Sequence, residues 1–175
     1  MLIHAIVSKR CDTLTNTRNA FKACFTKISM GRPIYSINED FFKVWNSNMA
    51  YVLGFAISDG NVYYNTLSWD LHPRDVDILY KINSAMNSDY PIGTRRASTR
   101  LRISNKHVLK DIEKLGVIPN KSLCVELPDV PEEYFRHFVR GVLDGDGWIS
   151  IRNRQERKHK EFSIGFASGS FNFLK

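Results

Sequence analysis

Two nine-residue segments 87 positions apart share one skeleton: Val52-Leu-Gly-Phe-Ala-Ile-Ser-Asp-Gly60 and Val139-Arg-Gly-Val-Leu-Asp-Gly-Asp-Gly147. In each, a glycine precedes an acidic residue by five positions, a second glycine follows the acid, and an aliphatic residue stands two further on, Val62 or Ile149. A glycine inside a helix costs about 1 kcal/mol relative to alanine, so its recurrence at matched places asks for close backbone approach. The pattern predicts two short helices packed through Gly54 and Gly141, each stopping at its Asp-Gly, with Gly60 and Gly147 in the left-handed conformation that commonly ends a helix. Asp59 and Asp146 then meet at one end of the pair. Helix C-termini carry unsatisfied carbonyls and partial negative charge, so two carboxylates converging there call for a cation. Hard oxygen donors suit Mg2+, which keeps several waters and shares phosphate oxygens with a substrate.

Charge points to the partner. The chain of 175 residues carries 25 basic against 18 acidic side chains, a net +7, which favours a polyanion. With 43% hydrophobic residues it can bury the core of one compact domain or of two small pseudo-symmetric halves. No apolar run approaches the roughly 20 residues that span a bilayer, and the N-terminus lacks a signal-peptide core. A soluble intracellular protein is the default expectation, whether in a prokaryotic or phage-infected cytoplasm or in an organelle. Cys11, Cys24 and Cys124 are odd in number and lack paired CxxC spacing. Free thiols are therefore expected, without a disulfide framework or a zinc site, and His4 adds too little to make one.

Along the chain, residues 1–45 lie outside the repeat and form an N-terminal extension, in which Ala20, Phe21, Cys24, Phe25 and Ile28 make a helical stripe. Gly31-Arg-Pro33 is a break, and Asn46 or Ser47 caps the first signature helix. Leu67, Trp69 and Leu71 alternate with polar residues as a strand does, hairpinned to Val62-Tyr63-Tyr64 through Asn65. Val76, Leu79, Ile82 and Met86 have helical spacing. Leu101 and Ile103 mark a strand with one apolar and one basic face, paired with the stretch from Ile92 to Arg96, and Val108, Ile112 and Leu115 a short helix closed by Gly116. The first half, 46–128, thus has the order helix, hairpin, helix, hairpin, helix. The second, 129–175, starts at Pro131-Glu132-Glu133, repeats the helix and a hairpin (Trp148 to Arg152, Phe162 to Phe166), and opens a further helix at Ser170 to Leu174. Only 29 residues follow Asp146, whereas 70 lie between Asp59 and Val130, so the second copy is expected to lack its final hairpin and helix.

These segments are similar to the LAGLIDADG homing endonucleases, in the form that carries two signature helices on one polypeptide, over about residues 36–175. The resemblance implies an α+β fold of αββαββα units in a pseudo-two-fold pair, the second incomplete, with two sheets forming a saddle across the DNA major groove. It implies that Asp59 and Asp146 bind divalent metal, Mg2+ or Mn2+, and that each serves one strand in the hydrolysis of double-stranded DNA at a specific site. Leu115-Gly-Val-Ile-Pro-Asn-Lys-Ser122 resembles a stretch that supplies a lysine at the edge of the catalytic site, which makes Lys121 the third catalytic candidate. Asp144 has Ile57 as its counterpart in the first copy and is expected to support rather than ligate. Arg140 stands where the family places a small or apolar residue; it is harmless only if it points away from the helix interface.

DNA contacts are expected from polar strand faces: Arg95, Arg96, Arg100 and Arg102 in the first half, Ser150 and Arg152 in the second, and Arg154, Arg157, Lys158 and Lys160 around the second hairpin tip. A monomer with internal pseudo-two-fold symmetry is the expected assembly, with dimerisation left open. Competing readings are a relative that grips RNA or DNA without cutting, such as a maturase or regulator, and an endonuclease from an intein. The intein lacks support, since neither a leading Cys or Ser nor a terminal His-Asn is present.

Overall fold

The computed structural model describes residues 35–153 and 160–175. The helical stripe at Ala20 to Ile28, the break at Gly31 to Pro33, the residues His4, Cys11 and Cys24, and the hairpin-tip residues Arg154, Arg157 and Lys158 lie outside them. Helix α1 (Ser47–Ser58) leads into β1 (Asn61–Tyr63) and β2 (Thr66–Leu71), then α2 (Val76–Ala85), β3 (Ile92–Arg95), β4 (Ser98–Ile103) and α3 (Lys106–Lys114). Helix α4 (Glu132–Asp146) and the hairpin β5 (Gly147–Asn153) and β6 (Lys160–Phe166) repeat the opening of that order. The expected αββαββα unit followed by αββ is what these residues form.

Local chemistry sets the boundaries. Asn46 caps α1 by accepting from the amides of Asn48 and Met49, both at 3.0 Å, and Asn105 caps α3 in the same way; each such cap contributes about 1 kcal/mol. Gly116 follows α3 with φ of 92°, the left-handed exit expected there. The two hairpins of the first unit turn through Tyr64 and Arg96, both with positive φ. They join through their second strands into one antiparallel sheet ordered β1-β2-β4-β3, in which Leu67 faces Ile103 and Trp69 faces Leu101. One face of that sheet, with Val62, Leu67, Trp69, Leu101 and Ile103, is buried with Leu79 and Ile82 of α2 and Val108 and Ile112 of α3. Its other face is polar.

The two signature helices make the most extensive packing between any two elements. A Cβ on Gly54 would collide with the Phe138 carbonyl, and one on Gly141 with the Tyr51 carbonyl, so glycine is what lets the two backbones touch. Gly60 and Gly147 correct the expectation of left-handed helix ends. Gly147 is extended, with φ of −89° and ψ of 162°, and Gly60 is not among the positive-φ glycines. Instead the chain turns out of each helix so sharply that a Cβ would strike the carbonyl four residues back, Ala56 or Leu143. The segment after β6 also departs from expectation. Rather than opening a helix, it forms one 3-10 turn, Asn172–Leu174. Phe173 enters the core, and the Ser170 hydroxyl donates to the Val125 carbonyl at 2.6 Å, which fixes this stretch to the first unit.

Candidate functional site

The glycine-mediated approach of α1 and α4 decides what meets at their C-terminal ends. Asp59 is the C-cap of α1 and Asp146 the last residue of α4. Gly145 keeps the ends close: a Cβ there would collide with the Ser58 hydroxyl and lie 3.3 Å from Oδ2 of Asp59. Both acids are open to solvent on one side. Partial desolvation holds both carboxyls above the usual range, and for Asp59 the neighbouring Asp146 charge adds to the shift. Lys121 opposes this in each case.

Lys121 is a buried lysine, only 6% exposed. Pro119-Asn120 leads into it, with Asn120 in the left-handed region (φ 58°), and a 3-10 turn, Lys121–Leu123, carries it. Its ammonium donates to the Ser58 carbonyl at 3.3 Å, one of the carbonyls left free at the end of α1. Burial lowers its pKa, while Asp146 and Asp59 pull it back up. The three candidates Asp59, Asp146 and Lys121 are thus brought together electrostatically, and a cavity of about 370 Å³ beside them is lined by Ser58, Lys121, Asp146 and Ser168. Among the described residues no third acidic, histidine or cysteine ligand joins the pair. Two carboxylates with raised pKa values and an open side fit a divalent ion that takes one or two protein oxygens and completes its shell with water and phosphate.

The polar sheet face lies beyond β1. Strand register places Ser98, Arg100 and Arg102 of β4 on it together with Arg95 of β3, since Arg95 pairs with Ser98 and Gly93 with Arg100. Arg96 occupies the turn. A groove of about 530 Å³ runs over this face between Asn61, Tyr63, Tyr64, Ser68, Arg100 and Arg102. Three of its features escaped sequence reasoning. Asp70 forms an ion pair with Arg100 and is itself held low by it. Tyr63 and Tyr64 stand exposed at the hairpin end, their rings edge to face. The alternation of β2 was the available signal for Asp70, but its partner follows only from the register with β4, thirty residues away.

In the second unit, Ser150 and Arg152 share one face of the hairpin with Trp148, while Lys160 pairs with Asn153 and falls on the opposite face, with Ile149 and Ile151. Lys160 therefore does not join Ser150 and Arg152. Asp144 accepts from the Tyr51 hydroxyl at 2.8 Å, and Arg140 lies exposed over the Tyr51 ring, 4.7 Å from its centre, rather than in the helix interface.

No protein-family model matches the chain, and no curated protein does. Among solved structures it is similar to the LAGLIDADG homing endonuclease I-GzeII in complex with its DNA target, at 13% identity over 69% of this chain and 65% of that one, with a TM-score of 0.47. It is similar also to the LAGLIDADG meganuclease I-AabMI bound to uncleaved DNA, at 10% identity, the same coverages and a TM-score of 0.45. The chain spans 65% of the length of each.

Proposed function

We propose that this chain is a metal-dependent DNA endonuclease of the homing type, hydrolysing phosphodiesters at a specific site in double-stranded DNA. One observation carries the reading: two acids from duplicated helices lie at the helix ends within electrostatic reach of one buried lysine, in a unit whose sheet bears arginines on its polar face. A pure binding module has no use for two carboxylates held where each raises the cost of the other or of its own burial.

Asp59 and Asp146 would hold Mg2+ or Mn2+, which when bound supplies Lewis acidity toward a phosphate and its attacking water. The chain's own residues supply the rest. Arg95, Arg100 and Arg102 hold the backbone and bases of the duplex against the sheet, so that a phosphate stands over the helix ends. Lys121, anchored on the Ser58 carbonyl, offers positive charge to the phosphate oxygens as negative charge builds there. Neither a serine nor a cysteine nucleophile is needed, because water reacts directly.

The test is Mg2+-dependent nicking of a plasmid library carrying randomised target sites. The wild-type chain is expected to cut, and Asp59→Asn and Asp146→Asn to lose cutting of one or both strands at unchanged DNA affinity. Undiminished cutting by both variants would overturn the assignment. Sequence-selective binding without cutting by the wild type would favour the maturase-like or regulatory reading instead.

A further inference from the structure

We infer that Asp70 and Arg100 form one base-reading unit, in which Asp70 positions the Arg100 guanidinium to select guanine at a single place in a DNA site. The inference rests on the reading of this sheet face as the DNA contact, and assigns what one pair of residues on it recognises. Register puts the two directly opposite each other on β2 and β4, and their side chains meet in an ion pair. Arg100 holds the Asp70 carboxyl below its usual range, and Ser98 of the same strand adds to the effect. The acid is therefore charged at neutral pH. An arginine on a strand face has rotamer freedom to lose on binding, and a carboxylate that holds it beforehand removes part of that cost.

The chemistry of the fork names the base. The pair engages one amino group of Arg100, and a guanidinium has five N–H donors, so donors remain for a second partner. On the major-groove edge guanine presents two adjacent acceptors, N7 and O6, which suit two such donors; adenine puts a donor in place of the second, and cytosine presents a donor. Gly93 supplies the room. It faces Arg100 from β3, on the side away from Asp70, and a Cβ there would meet nothing within 4 Å among the described residues. A glycine inside a strand often marks a place where a ligand comes close to the backbone. The guanidinium thus has an acid on one flank and no side chain on the other. Asp70 also offsets the charge that would draw Arg100 to any phosphate, so the pair contributes discrimination more than affinity.

The test is selection of the full chain, in Ca2+, on a duplex library with a randomised core, followed by anisotropy on sites carrying each of the four bases at each selected position. The wild type is expected to prefer guanine at one position by about 5- to 150-fold. Arg100→Gln and Asp70→Asn are both expected to level that position, with preferences elsewhere in the site and circular dichroism unchanged. Asp70→Asn is expected to do so without losing affinity for sites bearing the other three bases, which a merely structural role for Asp70 would not produce. Gly93→Val, which fills the space beside the guanidinium, is expected to weaken the guanine site alone. Arg102→Gln is expected to weaken all four sites alike. Selective binding in which no guanine position responds to both Arg100→Gln and Asp70→Asn would overturn the inference and leave the DNA reading standing. A wild type that binds no duplex would overturn both.

Discussion

Asp59 and Asp146 are held against their own electrostatics, and that cost can be read without any substrate. Both carboxyls are raised, by partial burial first and, for Asp59, by the neighbouring acid next. As pH rises through the ordinary carboxylate range toward the raised folded values, the unfolded chain has released protons that the folded chain still holds. Deprotonation in that window therefore lowers stability, and the loss stays in force at neutral pH. In the presence of chelator, Asp59→Asn and Asp146→Asn are expected to melt above the wild type at pH 7 and to show a flatter dependence of Tm on pH across that window. A lower Tm for both would mean that the carboxylates are already compensated. Lys121 belongs to the same balance. Lys121→Met is expected to cut the cleavage rate by about 10²–10³-fold, the usual loss when one preorganised charge donor to a developing oxyanion is removed, while DNA affinity measured in Ca2+ stays the same. Affinity falling in step with rate would make Lys121 a binding residue.

At the level of elements, the glycine contacts place the acids. Gly54→Ala and Gly141→Ala each push a methyl into a backbone carbonyl of the other helix, Phe138 or Tyr51, and neither backbone can yield without parting the pair. Each is expected to destabilise the fold by about 2–3 kcal/mol in urea unfolding. Gly93→Ala, where a Cβ meets nothing within 4 Å, should stay within about 0.5 kcal/mol of the wild type. Much of this was legible in the sequence: matched glycines at fixed distance from matched acids are a local signal with a single packing solution. The hairpin through Asn65, the pairing of the Ile92 to Arg96 stretch with the Leu101 strand and a cap at Asn46 or Ser47 were legible for the same reason, whereas the cap at Asn105 was not read. Less local features were not. The extended conformation at Gly147, and the absence of a left-handed exit at Gly60, depend on the direction in which the strand leaves, which a helix-end rule does not encode. The pairing of Asp70 with Arg100 depends on register, and Ser170 meeting Val125 depends on a chain reversal 45 residues long. The burial of Lys121 could be approached only through its resemblance to a family stretch, because a lysine after Pro-Asn has the sequence appearance of a solvated loop.

On the scale of the whole molecule, charge and geometry point the same way. The net +7 is expressed locally where Arg95, Arg100 and Arg102 share one sheet face. Binding to DNA should therefore weaken steeply with salt, and Arg102→Gln should reduce the slope of log K against log salt by about 1. Arg100→Gln should reduce it less, because Asp70 already neutralises that guanidinium; Asp70→Asn should strengthen non-specific binding by freeing it. Fluorescence anisotropy over a salt series measures all three, and equal slopes for the wild type and Arg102→Gln would remove the sheet face from the DNA interface. A metal site at the two helix ends is tested most directly by electron paramagnetic resonance titration of Mn2+ into the full chain bound to duplex DNA, for the wild type, Asp59→Asn, Asp146→Asn and the double variant. If the paired acids form the metal site, each single variant weakens Mn2+ binding at least tenfold and the double variant abolishes the site. Mn2+ binding that is unchanged in the double variant would contradict it.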